Sequence, residues 1–398
     1  MPVPNPKDQL INDLLANRIT EAGLTSLRQM VNELDLAHII QKIYDLNGNQ
    51  VRKIAALDQM LGKIDAIKNS QRNSWFTKQI SADFRDKTKN NKIILAEGDS
   101  WFNYPVILSD VLDRINMEPD MLIYSLANGG DWLLNMLGAR KYVEQLSVIH
   151  PDVFLISAGG NDLVGRSRLA AMVIPESSSR ELAHNEWATN LIKKATLHPI
   201  IPLDQKRFDR GVSYISKDFF ALLMFFHLQY YFLINGILTA GTGDPKNGKF
   251  PDLKIITQGY DYAIPSHELK WGWNPLRWYR PFIRSFLGHG SWLKTPLQIR
   301  SITDQGIQAD IVYAMIFLFN EMMIHTGDVF CQLTGPRVFH VDSRGAMGTD
   351  GWADELHPLP GNFARIGQTF IDCIQRPASS EHGQVFVVNE LYPLSVKP

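Results

Sequence analysis

From residue 92 onward the chain alternates short apolar runs with stretches of helical periodicity, and no other feature limits its fold as much. "KIILAEG" (92–98), "MLIYSLANGG" (121–130), "PDVFLISAGGND" (151–162), "LKIITQGYDY" (253–262) and "PRVFHVDSRG" (336–345) each centre on such a run and lead into Gly, Asn or Asp. Runs of this length, bounded in this way, read as buried strands. Between or after them lie helical patterns at 106–116, 135–150, 308–327 and 360–376, the second read as one helix. Strands and helices in alternation imply a mostly parallel sheet covered on both faces, hence an α/β fold of three layers, α/β/α. In such sheets ligands bind at the carboxyl ends of the strands.

A chain of 398 residues exceeds one minimal core, so it holds several domains or one domain with large insertions. Residues 1–90 read as an N-terminal helical domain, with "DKTKNNK" (86–92) as linker. Residues 91–378 form the α/β domain, and 379–398 a C-terminal extension. The α/β pattern lapses between about 163 and 250, too long for an ordinary loop, and we expect a mainly helical insertion there. It includes the apolar segment 218–238, interrupted by His227, Gln229 and Asn235, which reads as a buried or interfacial helix rather than a membrane span. A loop at about 265–300 carries four tryptophans and six basic residues against Glu268 alone, a composition suited to a packed loop or to a membrane interface.

A net charge of −1 gives no general drive toward nucleic acid, and none is expected as a partner. Two cysteines, Cys331 and Cys373, make neither a disulfide framework nor a zinc site, so no metal is expected. The opening "MPVPNPKDQLIND" lacks a basic stretch followed by an apolar core, and the expected location is cytoplasmic, with peripheral membrane contact as a variant.

Four polar clusters fall at or beyond predicted strand ends: Gly98-Asp99-Ser100, Asn128-Gly129-Gly130-Asp131, Gly159-Gly160-Asn161-Asp162 and Asp354-Glu355-Leu356-His357. A serine needs a base within hydrogen-bond reach to attack at neutral pH, and that base needs a carboxylate to orient it. Asp354 and His357 are three apart, just before a helix starting near Pro360. An oxyanion needs preformed donors, which a glycine N–H and an Asn amide can supply. Each cluster alone reads as an ordinary turn or helix cap; all four in order on an α/β pattern point to one site.

These blocks resemble those of the SGNH hydrolases, also called GDSL-type esterases and lipases. "GDSW", "NGGD", "GGND" and "DELHP" look like the family's blocks in their order, over about 92–376. The resemblance implies Ser100 as nucleophile, His357 as base and Asp354 as its orienter. It implies an oxyanion hole of the Ser100 N–H, the Gly130 N–H (Gly129 being the weaker fit) and the Asn161 amide, with no cofactor. Trp101 stands where the family usually has Leu, and Trp101 and Phe102 are candidates for the substrate pocket. Asp99, Asp131, Asp162 and Asp261 are expected to shape strand ends, and His150, His325 and His340 to be structural.

The implied reaction is hydrolysis of a carboxylic ester through an acyl-serine, and the aromatic and apolar accessory segments make a lipid or phospholipid acyl ester the leading substrate. An acetyl ester of a carbohydrate or small metabolite is the second. A third reading makes the chain a partner-regulated effector, recruited or self-associated through residues 1–90.

Overall fold

The structure is a computed structural model. It describes residues 5–15, 67–86, 89–104, 109–175, 186–197, 199–265, 292–376 and 385–388, and the isolated positions 26 and 30. Most of the expected helical domain over 1–90, and of the Trp-rich loop over 265–300, lies outside the described residues. The elements in chain order are α1 (Pro6–Leu15), α2 (67–79), β1 (Lys92–Gly98), α3 (Val111–Ile115), β2 (Met121–Ser125), α4 (Leu133–Ala139), α5 (Lys141–Ile149) and β3 (Val153–Ser157). There follow α6 (Gly160–Val164), a 3-10 helix (Gly165–Met172), α7 (Glu186–Leu197), α8 (Gln205–Val212), α9 (Lys217–Leu238), β4 (Lys254–Gln258), α10 (Lys294–Ile299), α11 (Gln305–Thr334), β5 (Val338–Asp342), α12 (Pro360–Gln375) and β6 (Val385–Val387).

The six strands form one sheet in the order β2-β1-β3-β4-β5-β6, every pair parallel. That sheet, with its many intervening helices, is compatible with three α/β/α layers. Ile94 pairs with Ile123 on one side and Val153 on the other, so β1 is interior. Its apolar run is buried throughout, as a strand covered on both faces must be. β6 lies within the stretch expected as a C-terminal extension and adds a strand beside β5.

Among the described residues, four helices, α6 to α9, and the 3-10 helix lie between β3 and β4, where the sequence suggests a helical insertion. By length and composition α9 and α11 could each cross a membrane, but α11 is largely buried, and α9 is buried over about half its length. The single helix expected over 135–150 is two, α4 and α5. Arg140 between them adopts φ 50° and donates its N–H to Met136 O, closing α4.

Helix α2, placed by the sequence in the N-terminal helical region, packs against the α/β unit. Phe76 meets Tyr124 edge-on. The Asn73 amide accepts from the Ser125 N–H at 2.7 Å and donates to Ser125 O at 2.9 Å, occupying the open edge of β2 as a strand residue would. The Arg72 guanidinium donates to both Asp110 oxygens at 2.6 and 2.7 Å, to Asp113 at 2.8 Å and to Phe102 O at 2.9 Å. Lys68 also pairs with Asp110. Arg72 and Asp110 are buried, and deleting Arg72 removes these four charge-assisted hydrogen bonds while Lys68 still faces the Asp110 carboxylate. Arg72→Ala should lower the unfolding free energy by about 1.5–3 kcal/mol, read by urea denaturation; a loss within experimental error would mean that α2 is not docked in this way.

Candidate active site

With strand order 2-1-3, the connection leaving β1 runs toward β2 while that leaving β3 runs away, opening a crevice between their carboxyl ends. Ser100 follows β1 and Asn161 follows β3, so the two come to opposite sides of this crevice. Two glycines permit the approach. A Cβ on Gly98 would meet Phe102 at 2.8 Å and Ser157 O at 3.0 Å. Gly159 adopts φ 107°, and a Cβ there would lie 2.9 Å from the Phe319 ring.

Asp99 fixes the turn after β1. Its carboxylate accepts from the Trp101 N–H at 3.0 Å, from the Ser157 hydroxyl at 3.1 Å and from the Tyr260 hydroxyl. Ser100 Oγ lies 2.7 Å from His357 Nε2. His357 Nδ1 lies 2.9 and 3.0 Å from the two oxygens of Asp354. The partners define the tautomer: Nδ1 carries hydrogen toward the carboxylate, and Nε2 accepts from the serine. Burial would push the Asp354 carboxyl up, but His357 and the N–H groups of Leu356 and His357 outweigh it and hold it below its ordinary range. The Tyr104 hydroxyl donates to Asp354 at 3.3 Å, and its ring stacks obliquely on the imidazole at 4.6 Å. An activated serine requires such a chain of hydroxyl, imidazole and buried carboxylate.

Asn161 donates one amide N–H to Asp131 O at 3.1 Å. Its other amide N–H, like the backbone N–H of Ser100, has no hydrogen-bond partner among the described residues. Ser100, Asn161 and His357 line one pocket of about 690 Å³, solvent at its mouth included. Its other walls are mainly apolar: Trp101, Leu293 and Leu356 near His357, and Val312, Met315, Ile316 and Phe319 from α11. Gly130 is exposed at φ 80° in the loop tied to Asn161 through Asp131, but does not line the pocket. Phe102 does not line it either. The Asp99–Asn103 turn directs its ring inward, fully buried and 5.6 Å from Phe370, so its expected place at the pocket is corrected to the core.

The other acids and histidines have structural surroundings. Asp162 accepts from the Leu133 N–H, and Asp261 from the N–H groups of Gly345 and Met347. His340 is buried between Thr257 and Asn320, and burial holds its imidazole down at about 4, neutral. His150 caps α5, and the His325 ring lies against His227 and Trp187.

Sequence reasoning passed over Tyr104, Tyr260 and Glu355. Glu355 accepts from the N–H groups of Trp292, Leu293 and Lys294, clasping the segment that carries Leu293 to the His357 loop. Its place between Asp354 and His357 was the only local signal; Tyr104 and Tyr260 carried none.

No known family profile matches the chain, and no curated protein does. A solved structure from Parabacteroides merdae, of a protein provisionally named a GDSL-like lipase, is similar at 13% identity and a TM-score of 0.27. The match covers 70% of this chain and 95% of that one. Likeness at this level carries no argument about the site.

Desolvation raises the Asp99 carboxyl to about 6, against its three donors and the nearby His357, which lower it. A carboxyl raised on folding binds more protons in the folded state, so its contribution to stability falls as pH rises from about 4 to about 6. Asp99→Asn removes this titration. Relative to wild type, the variant should gain on the order of 3 kcal/mol across that window in urea unfolding; a constant difference would mean that Asp99 titrates as an exposed acid.

Proposed function

We propose that the chain is a serine hydrolase acting on carboxylic esters, with an acyl group of a lipid as substrate. One observation carries the reading: Ser100 Oγ at 2.7 Å from His357 Nε2, with Nδ1 on buried Asp354, in the lining of a mainly apolar pocket.

As Ser100 Oγ attacks the ester carbonyl carbon, its proton passes to His357 Nε2, and the carbonyl oxygen becomes an oxyanion. Asp354 stabilises the imidazolium. The free N–H groups of Ser100 and Asn161 are available to the oxyanion, and Gly130 is the third candidate from the sequence. Collapse of the tetrahedral intermediate breaks the bond to the alcohol oxygen, which takes the proton from Nε2 and leaves. Water, deprotonated by the same nitrogen, then attacks the acyl-serine, and the carboxylic acid departs as Ser100 regains its proton. The balance needs only ester and water. The acetylesterase reading uses the same steps and differs only in what fills the pocket. The effector reading depends on residues 1–90, most of which lie outside the described ones.

Ser100→Ala should reduce hydrolysis of p-nitrophenyl butanoate by at least about 10⁴-fold with an unchanged circular dichroism spectrum, and Asp354→Asn by about 10³- to 10⁴-fold. Asn161→Ala should cost about 10²- to 10³-fold in kcat with little change in KM. Turnover surviving in Ser100→Ala would defeat the assignment.

A further inference from the structure

Taking the esterase reading as its base, we propose that the pocket is a slot for a linear acyl chain of medium length, about eight carbons, whose depth is set by Val312.

The chemistry divides the pocket. His357 must protonate the leaving alcohol oxygen, so the alcohol part lies on the His357 side, flanked by Leu293 and Leu356. The remaining wall belongs to the acyl chain, and α11 supplies it. Val312, Met315, Ile316 and Phe319 fall at the spacing of one helix face, and all four line the pocket. Phe319 stands at the serine end: its ring packs on Gly159 and lies 5.5 Å from Tyr260, whose hydroxyl binds Asp99 beside Ser100. Val312 is seven residues earlier on the helix, roughly 10 Å farther along it. An extended alkyl chain of about eight carbons spans that distance. Leu169, beyond Asn161 on the 3-10 helix, belongs to the same lining.

Polarity follows the same axis. Asp99 and Asn161 adjoin the serine end, while the α11 wall carries no polar side chain. Asp261, the other acid in the lining, has its carboxylate engaged by backbone N–H groups. An acetyl group would reach only the Phe319 end and leave the rest of the wall in contact with water, whereas each added methylene buries more of it.

The experiment is a series of p-nitrophenyl esters from acetyl through butanoyl and octanoyl to dodecanoyl, with wild type and Val312→Phe. The same acids as free carboxylates are titrated calorimetrically into the Ser100→Ala protein. In wild type, kcat/KM should rise about fourfold per added methylene as far as octanoyl and then level off. Val312→Phe should move the optimum toward butanoyl. An acetyl optimum, or an octanoyl-to-butanoyl ratio unchanged in a folded Val312→Phe protein, overturns the slot and leaves the hydrolase reading in place. If no ester is cleaved but octanoate binds where acetate does not, the hydrolase reading fails and the slot stands. If nothing is cleaved or bound, both fall. Should Val312→Phe not fold, the carboxylate series decides, since affinity must rise to octanoate and stop there.

Discussion

The carboxylate of Asp99 is the joint around which the site edge of the sheet is assembled. It is buried, and its donors come from three segments: the turn after β1, the end of β3 and the loop after β4. Ser100 is the next residue, so its position is defined by the strands and not by the conformation of one loop. Burial works against the charge, as the carboxyl raised to about 6 records. At neutral pH the three donors keep it ionised, and the charge in turn keeps them in place.

Two further buried charge clusters act on neighbouring loops. Arg344, fully buried after β5, pairs with Asp342 at 2.6 Å and with Glu321 of α11 at 2.8 Å, tying the sheet to that helix. Arg72 pairs with Asp110 and holds Phe102 O, and so supports the segment between Ser100 and α3 from the α2 side. Buried ion pairs of this kind add little net stability against a well-packed apolar alternative. Their consequence here is positional. A reacting serine must hold its geometry within fractions of an ångström, and a network in which every charge has one set of partners permits few alternative loop arrangements.

How much of this was legible in the sequence follows from how local each feature is. Ser100, Asp354 and His357 were readable because each sits in a short block with its own turn chemistry, and Asp354 and His357 are within one turn of each other. The five strands from β1 to β5 were readable because burial on both faces leaves continuous apolar runs. β6 was not, being three residues at an edge, where little burial is demanded. The direction of Phe102 was not, because one residue decides whether a ring in a tight turn faces pocket or core. The break at Arg140 was missed because a left-handed residue there is not glycine. Tyr104, Tyr260 and Glu355 act across separations of tens to hundreds of residues, and no local pattern marks such partners. The docking of α2 is of the same kind: its helical period was legible, but the acids that Lys68 and Arg72 would meet were not.

Helix α11 joins these points. Three consecutive residues near its middle have different tasks. Phe319 lines the pocket beside Gly159, Asn320 donates to Tyr260 O and lies 3.2 Å from His340, and Glu321 pairs with Arg344. This part of the helix is held from several directions, and a changed side chain here would disturb the turn that carries Ser100 as well as the pocket. Val312 lies two turns away from that anchorage; its part of the pocket wall is apolar, while the helix there is held from outside the pocket by Arg207 on Asp310 at 2.8 Å and by the Asp204 N–H donating to the Tyr313 hydroxyl at 2.9 Å. On the proposed reading, a substitution at Val312 alters the far end of the pocket without touching the hydrogen bonds that align Ser100, His357, Asp354 and Asp99. The hydrogen bonds at Asn320 and the apolar wall at Val312 thus lie about two turns apart on one helix, each held by its own set of contacts.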